Sequence, residues 1–301
     1  MTTTKYFQTK EHKVQACHIR EYAGSSINQN DALHLHVKQY TPLHQLEGAS
    51  VPDDAITIIG THGVGLPKEL YEPLWDELYE HSEISNFKIR GIWIADAAGL
   101  GASGVLDEGK LSNDYPVIQL SPPPMGFGTD QPGGVNFTTH RKDIWPNRKA
   151  AAISQAKVSK TWDPRVTDLM VKPEPRSTFY RLPSLRPSVL WIVGEKTYLR
   201  LDEMREGIKA TGTGIGGSGG IPEGRVKEVV VKNRGHLFPF EEVGHTAKEC
   251  SAWLMQEMER FRQTEKLWND QRANMSVEDH MVLSKKWMET VKPFSAFKNK
   301  L

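Results

Sequence analysis

The stretch IADAAGLGASG, Ile94 to Gly104, decides how this chain of 301 residues is read. It follows an apolar run and contains Gly99-x-Gly101-x-x-Gly104, the spacing of a dinucleotide loop, with Ser103 among small residues. Three readings compete: a phosphate cradle, a nucleophile, or a turn at the end of a strand. A dinucleotide loop needs its first glycine at the strand end and a helix starting at once, so that amides point at pyrophosphate. Here IADAA precedes the first glycine, and VLDEGKLSNDYP behind the loop is a poor helix. No acidic residue closes a second strand about 20 residues on. Ser103 fits a nucleophile little better, because the hydrolase elbow is Gly-x-Ser-x-Gly on a strand-to-helix turn. GASG has one residue fewer between its glycines and no helix is expected behind it. The turn is the preferred reading.

Outward from this loop the chain alternates strands and helices. KIRGIWIADA (Lys88–Ala97) and AITIIGTHG (Ala55–Gly63) are near-continuous apolar runs, as strands buried on both faces require. Between them, PKELYEPLWDELYEHS spaces Leu70, Leu74 and Leu78 four apart, an amphipathic helix with Pro67 at its start and Pro73 breaking its first turn. Two β-rich runs, Lys13–Ala23 and Ala32–Pro42, read as an antiparallel hairpin joined by GSSINQND. The middle of the chain, 117–187, is Pro- and Gly-rich with broken helices, an irregular lid or insert over the carboxyl ends of the strands. Strands resume at Ser188–Glu195 and Val226–Asn233, with a helix LDEMREGIKAT between them. GTGIGGSGG, holding Gly214-x-Gly216-x-x-Gly219, follows a helix and reads as a flexible linker with a capping glycine. A last long helix sets Ala247, Cys250, Leu254, Met258 and Phe261 on one face, and 265–301 form a helical extension. The whole predicts a single α/β domain with a mostly parallel sheet.

Lys plus Arg (38) balance Asp plus Glu (37), so no net field draws nucleic acid or an anionic membrane. Two cysteines, Cys17 and Cys250, make no disulfide framework. No apolar run reaches the length of a membrane span, and MTTTKYFQTKEHK lacks the core of a secretory signal.

His236 in NRGHLFPFEEVGH is the strongest chemical signal. It stands in a turn after the strand VKEVVVKN and before the last helix, where a hydrolase carries its general base. His62 ends a buried strand, and Gly63 to Gly65 beside it supply amides suited to an oxyanion. His34 and His36 share one strand face; without nearby carboxylates or cysteines they read as sheet surface, not metal ligands. No cofactor or metal site is expected.

THGVGLPKELYEPLWDEL, IRGIWIADAAGLGASGVL, RPSVLWIVGEKTYL, GTGIGGSGGIPEGRVKEVV and GHLFPFEEV together resemble successive blocks of one α/β-hydrolase family. It is the fungal group with the hydrolase-like proteins of AK-, AF- and ACT-type host-selective toxin clusters, related to the yeast peroxisomal lipase. The resemblance implies the α/β-hydrolase fold and hydrolysis of an ester or thioester in toxin or other secondary-metabolite biosynthesis. It implies His236 as base and the amides of Gly63 and Val64 as oxyanion donors. Family members follow the fourth-strand loop with a helix, a strand and a Gly-x-Ser-x-Gly elbow. No Gly-x-Ser-x-Gly exists here, and Tyr115–Ser121 cannot hold a strand–helix–strand unit of about 30 residues. The nucleophile segment and a central strand are therefore expected to be missing, and the alternative is a catalytically inactive homologue. The acid usually stands near Thr197, which cannot serve; Glu195 or Asp202 are the substitutes, unless the acid lay in the missing segment. The last residues, Asn299-Lys300-Leu301, approximate the terminal Ser-Lys-Leu read by the peroxisomal import receptor.

Overall fold

The computed structural model describes residues 4–18, 26–63, 66–111, 181–197, 201–273, 275–283 and 285–291. The chain divides into two compact units, Met1–Met255 and Gln256–Leu301.

In the first unit, strands β1 (Phe7–Gln15), β2 (His34–Pro42), β3 (Ile56–Thr61) and β4 (Ile89–Ala95) form one sheet in the order β1-β2-β4-β3. β1 and β2 pair antiparallel from Phe7↔Pro42 to Gln15↔His34. β2 also runs antiparallel to β4, whereas β3 and β4 are parallel, as a strand–helix–strand crossover requires. The hairpin thus exists, but its first strand lies earlier in the chain than the apolar pattern of 13–23 predicts. The reason is its place at the sheet edge, where FQTKEHKVQ buries only Phe7 and needs little apolar surface.

β3 departs from expectation in another way. Its side chains alternate between half-buried and exposed, and Ile59 is 78% exposed. Among the described residues it also ends its sheet, so one of its hydrogen-bonding edges meets no described strand. The second sheet, β5 (Val189–Gly194) and β6 (Val226–Val231), is a parallel pair in register from Val189↔Val226 to Gly194↔Val231. The six described strands therefore fall into two blocks, with the chain between them, 112–180, outside the described residues.

A 3₁₀ turn (Lys68–Tyr71) leads from β3 into helix α2 (Glu72–Glu83); a short helix α1 (Leu43–Leu46) precedes β3. Pro67 thus opens the 3₁₀ turn, and Pro73 falls within the first turn of α2, where its missing N–H is harmless. Leu70, Trp75 and Leu78 are buried with Tyr40, Ile92 and Ile94 of the sheet. Each such side chain contributes about 1.5–3 kcal/mol through burial. Helix α3 (Gly101–Leu106) follows β4, contrary to the expectation that no helix stands behind the glycine loop.

Beyond the second block's helix α4 (Leu201–Ala210), the glycine-rich run is not a flexible linker. Gly212 and Gly214 donate to the carbonyls of Leu182 and Pro183, Ser218 donates to Leu185, and Gly219 to Gly212. These bonds lay the loop along the 182–185 backbone. The short helix α5 (Phe238–Glu241) then leads into α6 (Val243–Ala273). Within α6, Ala247 and Met258 are buried as its periodicity predicts, joined by Ser251 and Trp253, while Phe261 is 48% exposed. Burial pushes the Cys250 thiol up to about 11, with Glu249 adding to it. In the second unit, α7 (Val277–Met281) begins with a capping box between Ser276 and Asp279, and α8 (Lys285–Thr290) follows.

Candidate active site

The glycine loop after β4 is organised by one buried carboxylate. Asp96, 1% exposed, accepts the Lys68 N–H at 3.1 Å through Oδ1 and the Ala102 N–H at 3.1 Å through Oδ2, and pairs with the Lys68 ammonium. The first-turn amide that a phosphate would use is therefore taken by the protein's own anion. Gly101, at φ +48°, is required here: a Cβ would stand 2.4 Å from Asp96 Oδ2. In the second glycine motif, the amides of 217–220 are likewise spent on internal partners. Neither glycine pattern is a phosphate cradle.

Ser103 lies in α3, fully buried. Its hydroxyl donates to the Asp96 carbonyl at 2.9 Å and accepts the His36 N–H at 2.7 Å. It ties the loop to β2 and has no access to a substrate. His34 and His36 do meet carboxylates, contrary to the sequence reading: the His34 amide donates to both Asp107 oxygens, and His36 Nε2 lies 3.3 Å from Glu11. Even so, among the described residues no group of three or more His, Cys, Asp and Glu is placed to hold a metal.

Lys68 belongs to a buried ionic chain that the sequence did not announce. Its ammonium also meets Glu69 at 3.2 Å, and Lys38 bridges Glu69 and Glu72 at 3.1 Å each, with the Tyr40 hydroxyl donating to Glu72. Burial opposes the charge on Lys38, but Glu72 and Glu69 outweigh it and raise its pKa. Burial likewise works against the Glu69 carboxylate, and Lys68 and Lys38 outweigh it in turn and lower its pKa.

The loop after β3, where oxyanion donors were expected, is pinned from two sides. The Ala97 N–H donates to His62 Nε2 at 2.9 Å, so the ring is neutral and its Nδ1–H donates to the Gly63 carbonyl at 3.0 Å. His62 is thereby a strut between the ends of β3 and β4. The Gly63 N–H donates to Tyr71 Oη at 2.7 Å, so the amide expected at the oxyanion is already engaged. Val64 lies outside the described residues. Burial raises the Tyr71 pKa, against the opposing effect of the Gly63 amide. Nothing in the spacing of the helix marks Tyr71, which reads there as one more residue of an apolar stripe.

His236 is set by a close approach of two backbones. A Cβ on Gly194, at the end of β5, would meet the Gly235 carbonyl oxygen at 2.1 Å, so only glycine lets the loop after β6 cross there. Lys196 N–H donates to the Arg234 carbonyl at 2.8 Å and fixes that crossing. The result places His236 Nδ1 3.1 Å from Thr197 Oγ1, the position where the acid was expected. His236 is exposed at the surface, but protein crowding the ring lowers its pKa by desolvation. Glu195, one of the two candidate acids, accepts the Asn233 N–H at 2.8 Å, where Asn233 stands at φ 59°. Asp202 starts α4, and its side chain lies outside the described residues, as do Asn299, Lys300 and Leu301 and most of the 117–187 insert.

Leu66 and Leu70, just after the loop that follows β3, pack with Phe240 of α5, flanked by Tyr71 and Leu237. Tyr71 meets the Phe240 ring edge-on, with centroids 5.4 Å apart. The apolar cluster thus joins the elements that follow β3 and β6, though these strands come from different sheets. Together they bring a histidine, a strand-end loop and an apolar wall to one place, parts that a candidate site is built from.

No protein-family model matches the chain. It is 37% identical to the type I acyl-CoA thioesterase mpaH of Penicillium roqueforti (strain FM164), and 36% identical to mpaH' of Penicillium brevicompactum, covering 99% of this chain and 98% of each relative. The alignment spans 433 positions, 132 more than the 301 residues of the chain, so the relatives carry residues for which this chain has no counterpart. Because coverage reaches nearly both ends, that shortfall is internal. Among solved structures the chain is similar to the peroxisomal alpha-beta-hydrolase Lpx1 of Saccharomyces cerevisiae, with a TM-score of 0.62 at 12% identity, covering 91% of this chain and 100% of that one. The fold is that of an α/β-hydrolase, and the chain belongs to the family of the fungal mpaH proteins, which are type I acyl-CoA thioesterases.

Proposed function

We propose that this chain serves thioester hydrolysis in fungal secondary-metabolite biosynthesis, with His236 as its base. One observation carries the reading: relatives identical at more than a third of aligned positions along the whole chain are acyl-CoA thioesterases. In the serine mechanism of such sites, the nucleophile attacks the thioester carbonyl while histidine takes its proton. The tetrahedral oxyanion collapses, the protonated ring supplies the departing sulfur, and water then releases the acyl group by the same base. Backbone amides at Gly63 and Val64 are the proposed oxyanion donors. For Gly63 to take part, its bond to Tyr71 must yield; the Val64 amide is the other candidate.

A specific observation favours a second reading, in which the chain binds an acyl thioester without turning it over. No Gly-x-Ser-x-Gly occurs in the 301 residues, and Ser103 is sealed inside the fold. Thiol release from acyl-CoA by the purified chain decides between them. Release above the protein-free rate that His236→Ala abolishes supports hydrolysis. Saturable acyl-CoA binding without release supports the second reading, and release that survives His236→Ala overturns the assigned base.

The membership of a host-selective-toxin branch, and a peroxisomal address read from Asn299-Lys300-Leu301 by the import receptor, extend the proposal. Appending those three residues to a fluorescent reporter tests the address; diffuse signal would refute it.

A further inference from the structure

We propose that the glycine-rich loop 211–224, with the cations beside it, is a docking surface for an anionic lipid membrane. The loop leads from α4 into β6 and lies along the 3₁₀ turn Leu182–Ser184, just before β5. It therefore stands at the amino ends of the two parallel strands, whereas His236 follows the carboxyl end of β6. About 20 Å of strand separates the two ends, so the surface is distinct from the candidate active site.

Ile215 in this loop is 100% exposed. An isolated apolar side chain at a surface is ordinary, but here the backbone is built to hold it out. Gly214 N–H donates to the Pro183 carbonyl at 2.8 Å, and Gly217 N–H to the Gly214 carbonyl at 3.0 Å, closing a tight turn over Ile215 and Gly216. Gly216 takes φ +76°, as the third residue of such a turn can require. A Cβ on Gly217 would stand 2.3 Å from the Gly212 carbonyl oxygen, so the base of the turn admits only glycine. Ile221, 45% exposed, is a second apolar side chain on the same loop. Glycines flank Ile215 with no side-chain surface of their own, which makes it a knob rather than part of a broad apolar face. A protein partner needs several hundred Å² of fitted surface on each side; a fluid lipid boundary needs only a protruding apolar group with cations around it.

The cations are there. Arg181 and Arg186 flank the 3₁₀ turn and Lys209 ends α4; all three are exposed and form no ion pair among the described residues. With Arg225 they outnumber the acids of the same end, Glu206 and Glu223, four to two. The whole chain carries a net charge of only +1, so the attraction is local. Among the described residues no helix is long and apolar enough to cross a membrane, so the contact is with the lipid surface. Binding by one knob and a small charge excess is weak and reversible.

The test is flotation of the full chain with vesicles of roughly 3:1 phosphatidylcholine and phosphatidylserine. The chain is expected to rise with these vesicles, to ignore pure phosphatidylcholine, and to dissociate as salt is raised. Ile215→Asp should weaken binding at least about tenfold, and Arg181→Gln and Arg186→Gln about fivefold each. The lipid and salt comparisons on the unmodified chain need no variant to fold, and an unchanged melting curve qualifies each variant. No flotation with the anionic vesicles, equal flotation with pure phosphatidylcholine, or binding indifferent to Ile215→Asp overturns the proposal. Soluble polyglutamate that competes fully while Ile215→Asp changes nothing would assign the surface to an acidic polypeptide instead, and so overturns it too. None of these readouts involves turnover, so they stand or fall independently of the thioesterase reading.

Discussion

Replacing Asp96 by asparagine probes the buried ionic chain at the point where most elements meet. The carboxylate and the Lys68 ammonium are each 1% exposed, so neither has water to fall back on. The substituted carboxamide would keep one oxygen for an amide but would turn an NH₂ group toward either Lys68 or Ala102. Breaking a buried ion pair from one side costs about 3–5 kcal/mol, chiefly because the surviving charge stays buried. Lys68 retains Glu69 at 3.2 Å, a carboxylate that is 25% exposed, which places the expected loss near the lower end, about 3 kcal/mol. That is a large share of the roughly 5–15 kcal/mol by which a domain is usually stable. Urea unfolding monitored by tryptophan fluorescence should show the midpoint falling with an unchanged slope. The double variant Asp96→Asn/Lys68→Met removes the stranded cation and should recover part of the loss, with a coupling of about 2 kcal/mol. A single-variant loss below about 1 kcal/mol, the range of exposed pairs, would refute the claim that this pair is sealed from solvent.

Two further outcomes follow from the same region. Ser103→Ala strands the His36 amide and should destabilise by about 1–3 kcal/mol, and a fluorophosphonate probe should leave no adduct on Ser103; an adduct there would reinstate it as a nucleophile. Glu69, whose pKa is lowered from 4.5 in the folded chain, stabilises fully above that value and loses its contribution as pH falls through the lower folded value. Glu69→Gln, though less stable at neutral pH, should show a shallower stability loss below about pH 4.5; an unchanged acid limb would contradict the assigned role.

The alternation of strands and helices was legible wherever burial fixed it. The run from Ile89 to Ala95 and the helix carrying Trp75 and Leu78 lie in a core, so their periodicity reports their structure. β1 was misplaced because an edge strand with one buried side chain has no pattern to report. Helix α3 was missed because its six residues GASGVL have little propensity of their own; Asp96 at the Ala102 amide and the bonds of Ser103 hold it from outside. β3 was read as covered on both faces because its isoleucines say what a neighbour would bury, not whether one is there. In the candidate site, the turn that carries His236 was legible from the strand before it. The engagement of the Gly63 amide by Tyr71 was not, since it depends on a turn of helix folding back across eight residues.

The carboxylate of Asp96 also bears on how this fold can change. A glycine fingerprint behind a strand invites the thought that nucleotide binding is a few substitutions away. Here the space such a ligand would need is filled by a resident anion with its own lysine, and that lysine is shared onward to Glu69 and Lys38. Admitting a phosphate would mean evicting a residue on which two sheet strands, a 3₁₀ turn and a helix start all converge, before any affinity was gained. The loop is thus closed to nucleotides by its own carboxylate.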